Sequence, residues 1–143
     1  MRVVRIVLHL LVGIGALGAG QALIRDTTGK SMTFKTEWLV GSPFNDYLVP
    51  GLFLFFVNGG LNLAAAYGLW RKRWWAAAVS FAAGLVLVAW ILIQWAIIGY
   101  QDWTQWMWLV TFTAMLVLAT MNWRRWVTAT MARYTARRLF SWR

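Results

Sequence analysis

The chain has no cysteine, one histidine and four acids in 143 residues. Without cysteine it forms no disulfide, no thiolate metal site and no cysteine nucleophile, and it carries no redox clue to its compartment. One histidine cannot supply two axial haem ligands. The acids, Asp26, Glu37, Asp46 and Asp102, all fall between long apolar runs. No acidic or basic residue lies deep inside a run, and proton relays and ion-coupled carriers ordinarily need such groups. A Ser-His-Asp arrangement would have to bring His9 to acids at the opposite end of its span. No cofactor, metal or catalytic constellation follows from these residues, and an enzyme acting alone is the least favoured class.

What is abundant is apolar and basic. Apolar residues make up 61% and charged residues 13%, against about 45–50% and about 25% in a soluble domain. Four runs are long enough to cross a membrane, at about residues 3–24, 48–70, 74–98 and 106–123, since a span needs about 20 residues. Eleven of the fourteen Lys and Arg side chains fall in three blocks. These are Arg2 with Arg5, then Arg71, Lys72 and Arg73, then Arg124, Arg125, Arg133, Arg137, Arg138 and Arg143. The acids occupy the alternate segments. That alternation is the positive-inside pattern, and it predicts both termini in the cytoplasm. Trp70, Trp74, Trp75, Trp123 and Trp126 mark the inner boundary. Trp38, Trp95, Trp103, Trp106 and Trp108 mark the outer one, and Trp90 is expected deeper. The first run also has features of a secretory signal, with small residues near Gly18-Ala19-Gly20, though it is long for one.

The expected fold is all-α and integral to the membrane: four transmembrane helices in an antiparallel bundle over residues 1–123, with an outer capping loop. Residues 124–143 form a basic amphipathic cytoplasmic tail. Its face of Trp123, Trp126, Val127, Met131 and Tyr134 suits an interfacial helix. Each basic residue near an anionic leaflet contributes about 1 kcal/mol. The net charge of +10 therefore reads as lipid contact and orientation, not nucleic-acid binding, and a docking helix for a cytoplasmic partner is the alternative for the tail.

The glycine pattern Gly13-Ile14-Gly15-Ala16-Leu17-Gly18 matches a dinucleotide fingerprint only in form, because it sits inside an apolar run with no preceding strand. Close packing of helices through small residues explains it better. Gly60, Ala64 and Gly68, and likewise Ala76, Ser80 and Gly84, form small-residue ridges, serving bundle packing or an oligomer interface. Asn58 and Asn62 share a helix face, and His9 shares one with Gly13, Ala16 and Gly20. With Thr111 and Thr113 on the fourth span, they make a candidate mid-membrane polar cluster. It serves either as a ligand pocket or as interhelical hydrogen bonding, at about 0.6 kcal/mol per contact. Gln21 and Gln94 carry the same ambiguity nearer the outer end.

Asp26-Thr27-Thr28-Gly29 reads as a turn. Ser42-Pro43-Phe44-Asn45-Asp46 reads as a capped helix start, with Pro50-Gly51 interrupting it before the second span. The segment LVGSPFNDYLVPGL, after Asp26-Thr27-Thr28-Gly29-Lys30, resembles a group of small uncharacterised bacterial four-span membrane proteins. These share a glycine-rich first span and an S-P-F-x-D-Y-L-x-P-G-L entry to the second. The resemblance implies a bacterial inner membrane and marks Ser42, Pro43, Phe44, Asp46, Tyr47, Pro50 and Gly51 as the distinctive loop motif. It brings no activity. Two functions remain in view. One is a non-enzymatic accessory or scaffold protein that associates with lipids or other membrane proteins. The other is a small-molecule or lipid carrier lined by His9, Asn58 and Asn62.

Overall fold

The apolar runs form long helices, in which the backbone polar groups are satisfied within each segment as a membrane crossing would require. The computed structural model describes residues 1–101 and 103–140, and only the backbone of residues 122–126 and 129–140. Four helices are long and apolar enough to cross a membrane. They are α1 (Arg2–Arg25), α2 (Leu48–Trp70), α3 (Ala76–Ile98) and α4, whose candidate span is Trp103–Met121 and whose helix runs on to Phe140. No strand occurs among the described residues. The expectations for the tail side chains Trp123, Arg124, Arg125, Trp126, Met131, Arg133, Tyr134, Arg137, Arg138 and Arg143 lie outside the described residues, as does the one for Asp102.

The two ends of the molecule differ, and we name them the basic end, holding Arg5 and the Arg71–Arg73 turn, and the loop end, holding residues 26–47. α1 packs along α2, and α3 packs along α4 and along the basic half of α2. α1 hardly meets α4. The tightest crossing joins α1 to α2. A Cβ on Gly20 would lie 2.6 Å from the Phe55 nitrogen and 2.7 Å from the Gly51 oxygen, so only glycine allows this approach. On the other side Gly84 faces the Leu116 backbone at 3.0 Å. Ala76, Ser80 and Gly84 are all buried, as a packed ridge requires. Gly60, in contrast, is exposed and Gly15 and Gly18 face open space, so these glycines are not packing contacts within the chain.

α2 is not uniform. Leu48–Leu52 is α-helical, Phe53–Gly59 is a π-helical stretch, and Gly60–Trp70 is α-helical again. The expected helix start at Ser42-Pro43 is corrected: the helix begins at Leu48. Ser42 closes a local turn, its Oγ accepting from the Phe44 nitrogen at 3.1 Å. The Tyr47 nitrogen is taken by the Thr27 carbonyl at 2.9 Å, and Asp46 Oδ1 accepts from the Leu48 nitrogen at 2.9 Å. Nor do Pro50 and Gly51 interrupt the helix. Pro50 lies in the first turn, where its missing N–H has no intrahelical role. The third helix starts at Ala76, with Trp74 and Trp75 in the preceding turn. Lys72 takes the left-handed conformation there, at φ 54°, and Arg71, Lys72 and Arg73 are exposed. Between α3 and α4 the buried Gln105 bonds the Gln101 nitrogen at 2.8 Å and the Gly99 carbonyl at 3.2 Å, holding the short connection closed.

Candidate functional site

Two features meet near the middle of the molecule, a polar chain and an apolar cleft. The chain begins at Arg5, only 6% exposed, whose Nη2 donates to Ser80 Oγ at 3.0 Å. Ser80 Oγ lies 2.7 Å from His9 Nε2, and His9 Nδ1 lies 2.7 Å from Asn62 Oδ1. Asn62 Nδ2 donates to the Asn58 carbonyl at 2.8 Å. Three helices are thereby joined: Arg5 and His9 from α1, Asn62 and Asn58 from α2, Ser80 from α3.

The ends of this chain set its direction. A carbonyl only accepts, so the Asn62 nitrogen faces Asn58 and its oxygen faces His9. Nδ1 of His9 therefore carries a hydrogen. Arginine only donates, so Ser80 Oγ accepts from Arg5 and meets His9 Nε2 with its remaining hydrogen-bonding capacity. Every side chain between the two ends is satisfied, and Arg5 Nε has no partner. Asp26 lies 21 positions along α1 from Arg5, about 30 Å at 1.5 Å per residue. Hydroxyl and imidazole thus take the place a carboxylate would hold.

Of the five residues expected to cluster, the structure brings together His9, Asn62 and Asn58. Thr111 and Thr113 are corrected: they do not join. Thr111 Oγ1 donates back to the Met107 carbonyl at 2.8 Å, Thr113 is exposed, and their helix hardly touches α1. Arg5 and Ser80 were not foreseen as members. The available signal was spacing, since Arg5 and His9 are one turn apart on the face that carries Gly13 and Ala16.

The cleft opens toward the loop end, between the α1–α2 pair and the α3–α4 pair. It has a volume of about 410 Å³ and is walled by residues such as Ala16, Leu54, Trp90, Gln94 and Phe112. Trp90 stacks on Phe53 at 5.0 Å with rings 13° apart. Val12, Leu87, Ile91, Phe112 and Met115 pack together where the cleft ends. A smaller space of about 100 Å³ continues it under the loop and shares Ala19, Met32, Phe34 and Trp90 with it. Among the described residues no charged side chain lines either space. Asn58 does line the cleft. It is 1% exposed, and neither Nδ2 nor Oδ1 of its side chain has a hydrogen-bond partner. His9 and Asn62, committed to each other, do not line it.

The loop motif frames the mouth of this space. Phe44, Tyr47 and Pro50 line the smaller cavity, and Gly51 makes the α1–α2 crossing. Tyr47 is buried beside Phe34, with ring centres 5.4 Å apart, and its hydroxyl donates to the Lys35 carbonyl at 2.7 Å. Burial pushes the Tyr47 phenol up from its ordinary value. Pro43 is exposed and Ser42 only closes its turn. Two of the acids, Asp26 and Asp46, hold loop backbone nitrogens. Asp26 takes the Thr28 hydroxyl at 2.6 Å and the Ser31 nitrogen at 2.8 Å. Among the described residues no three of His, Asp and Glu group as metal ligands would. Compared with known proteins, the chain matches no family model, no curated protein and no solved structure.

Proposed function

We propose that this is a non-enzymatic, multi-pass protein of a bacterial inner membrane that binds a lipid or other small apolar molecule within the bilayer. The four helices form an antiparallel bundle with both termini cytoplasmic, and residues 26–47 cap its outer end. Two observations support that orientation: the alternation of basic blocks and acids along the sequence, and the placing of Arg5 and Arg71–Arg73 at the end opposite Asp26, Glu37 and Asp46. The binding reading rests on one observation, the uncharged cleft of about 410 Å³ with an unpartnered amide in its wall. Ligand sites are commonly concave, mostly apolar spaces of about 300–1,000 Å³ with a few polar groups, often between the helices of bundles. The π-helical stretch that carries Asn58 agrees with this, since such widened turns concentrate at functional sites. The accessory or scaffold role expected from the small-residue ridges, the basic tail and the lack of catalytic groups is the second reading, and the exposed Gly60 on α2 is the feature that favours it.

Mass spectrometry of the protein extracted in mild detergent tests the reading. A defined lipid or small molecule is expected to co-purify. Gly15 lines the cleft, and a Cβ at that position would meet no atom within 4 Å, so Gly15→Phe should fill the space without disturbing the backbone and expel the guest. Gly18 is equally open but lies away from the cleft, so Gly18→Phe should retain it. An empty wild-type protein, or the same guest at the same occupancy in Gly15→Phe, would overturn the proposal.

A further inference from the structure

The cleft ends on a group that specifies more than apolarity. Asn58 offers a donor and an acceptor side by side, both buried and both unused. Burying an amide without partners is costly, more so against hydrocarbon than against water. Its own helix does not relieve it. The Asn58 carbonyl is already held by Asn62, and Asn62 by His9, so the neighbouring polar groups are spoken for. The wall contributes only one other amide, Gln94, on α3 and toward the mouth. A guest that satisfies Asn58 must itself present an acceptor next to a donor. It must also be neutral, because among the described residues no charged side chain lines the space and an unpaired charge in it would be strongly disfavoured. The rest of the guest must be apolar. From Val12 to Leu23 the cleft and its extension follow α1 over 11 residues, about 16 Å of rise.

Building on the binding role proposed above, we infer that the ligand is a single-chain amphiphile with a neutral acyl head of the form C(=O)–XH, its carbonyl accepting from Asn58 Nδ2 and its X–H donating to Asn58 Oδ1. Two sources carry that head, a protonated long-chain carboxylic acid and a long-chain amide. Both make the same pair of bonds to Asn58. They part when pH rises: the acid ionises, loses its donor and gains a charge, while the amide is unchanged.

Equilibrium binding of labelled lauric acid, lauramide, methyl laurate and dodecane to the full-length protein in nanodiscs tests this. Methyl laurate keeps the acceptor and lacks the donor, and dodecane lacks both. The acid or the amide should bind on the order of tenfold more tightly than the ester, as expected for one more buried hydrogen bond. Asn58→Leu should erase that preference, weaken ester binding through the one carbonyl contact it loses, and leave dodecane binding as it was. Asn58→Ala serves as a second variant that adds no bulk to the cleft. Binding of the acid that weakens with rising pH identifies the carboxylic source, and amide binding that is preferred at every pH identifies the other. Ester and dodecane binding as tight as acid and amide would overturn the head-group assignment and leave the cleft as a general apolar site. Failure of every probe to saturate would remove the assignment together with the binding role beneath it.

Discussion

The two halves of the contact between the helix pairs are built on opposite terms. At the basic end, Arg5, Ser80, His9 and Asn62 bond in sequence, and the helices close around them. Toward the loop end the same helices part, the walls are apolar, and the one buried polar side chain where the cleft ends, Asn58, has no partner. Asn58 and Asn62 are the same residue type one turn apart, yet one is spent on structure and the other is not. In a membrane, polar bonds between helices are a principal means of association beyond packing. A satisfied network is therefore a reason for closure, and an unsatisfied amide beside a void is a reason to expect a guest.

The largest effect should come from breaking the closed half. His9→Leu removes two contacts of 2.7 Å and leaves the Asn62 oxygen without its donor. Interhelical hydrogen bonds in membrane proteins average about 0.6 kcal/mol and reach about 1.7 kcal/mol, so the loss should be about 1–3 kcal/mol, read from unfolding in sodium dodecyl sulfate. Asn62→Leu should follow at about 1–2 kcal/mol by the same scale. In the open half the corresponding exchange should behave differently. Asn58→Leu gives up no side-chain bond and relieves an unpaired amide, so stability should change by less than about 0.5 kcal/mol or rise. Equal destabilisation by Asn58→Leu and Asn62→Leu would erase the distinction between the halves. Gly20→Ala sharpens the comparison from a third position. Its methyl would meet backbone on α2 at 2.6 Å and 2.7 Å, so the cost should be about 1–3 kcal/mol through steric strain alone, with no polar bond removed.

How far each half was legible in the sequence follows from the kind of signal that builds it. The helices that can span were readable because hydropathy is a sum over many residues. His9 and Asn62 were readable because a single polar residue in an apolar run needs a partner. Arg5 and Ser80 were not, because each has a commoner explanation: Arg5 as an orientation charge and Ser80 as a small packing residue. Thr111 and Thr113 misled because depth along a span says nothing about which helices touch. The cleft was invisible, since it depends on the divergence of the two helix pairs and on the π-helical stretch Phe53–Gly59, which leaves no periodic trace. The loop motif was conspicuous in the sequence, but its role as a frame of the cleft mouth required the fold. Ser42-Pro43 resembled a helix start until Asp46 and Thr27 were seen to hold the backbone up to Leu48.

The smallest expected effect lies in the loop itself and concerns pH. The Thr28 hydroxyl, and after it the Ser31 backbone nitrogen, hold the Asp26 carboxyl below the usual aspartate range. Its bonds favour the ionised form, so their contribution is present above the unfolded value of about 3.9 and is lost as pH falls through the lower, folded value. Asp26 is exposed to solvent on its carboxyl, so the change should be local: loosening of the turn at Gly29 and of the Tyr47–Thr27 contact, without unfolding of the helices. Hydrogen exchange of residues 26–34 should accelerate as the pH is lowered through that range, after correction for the intrinsic rate. In Asp26→Asn the same segment should exchange faster at neutral pH and lose the acid-dependent step. If the cleft mouth depends on this turn, as the shared positions of Met32 and Phe34 in its wall imply, Asp26→Asn should also speed release of a bound guest while leaving its head-group preference intact. A variant that changed the preference instead would move the specificity away from Asn58 and into the loop.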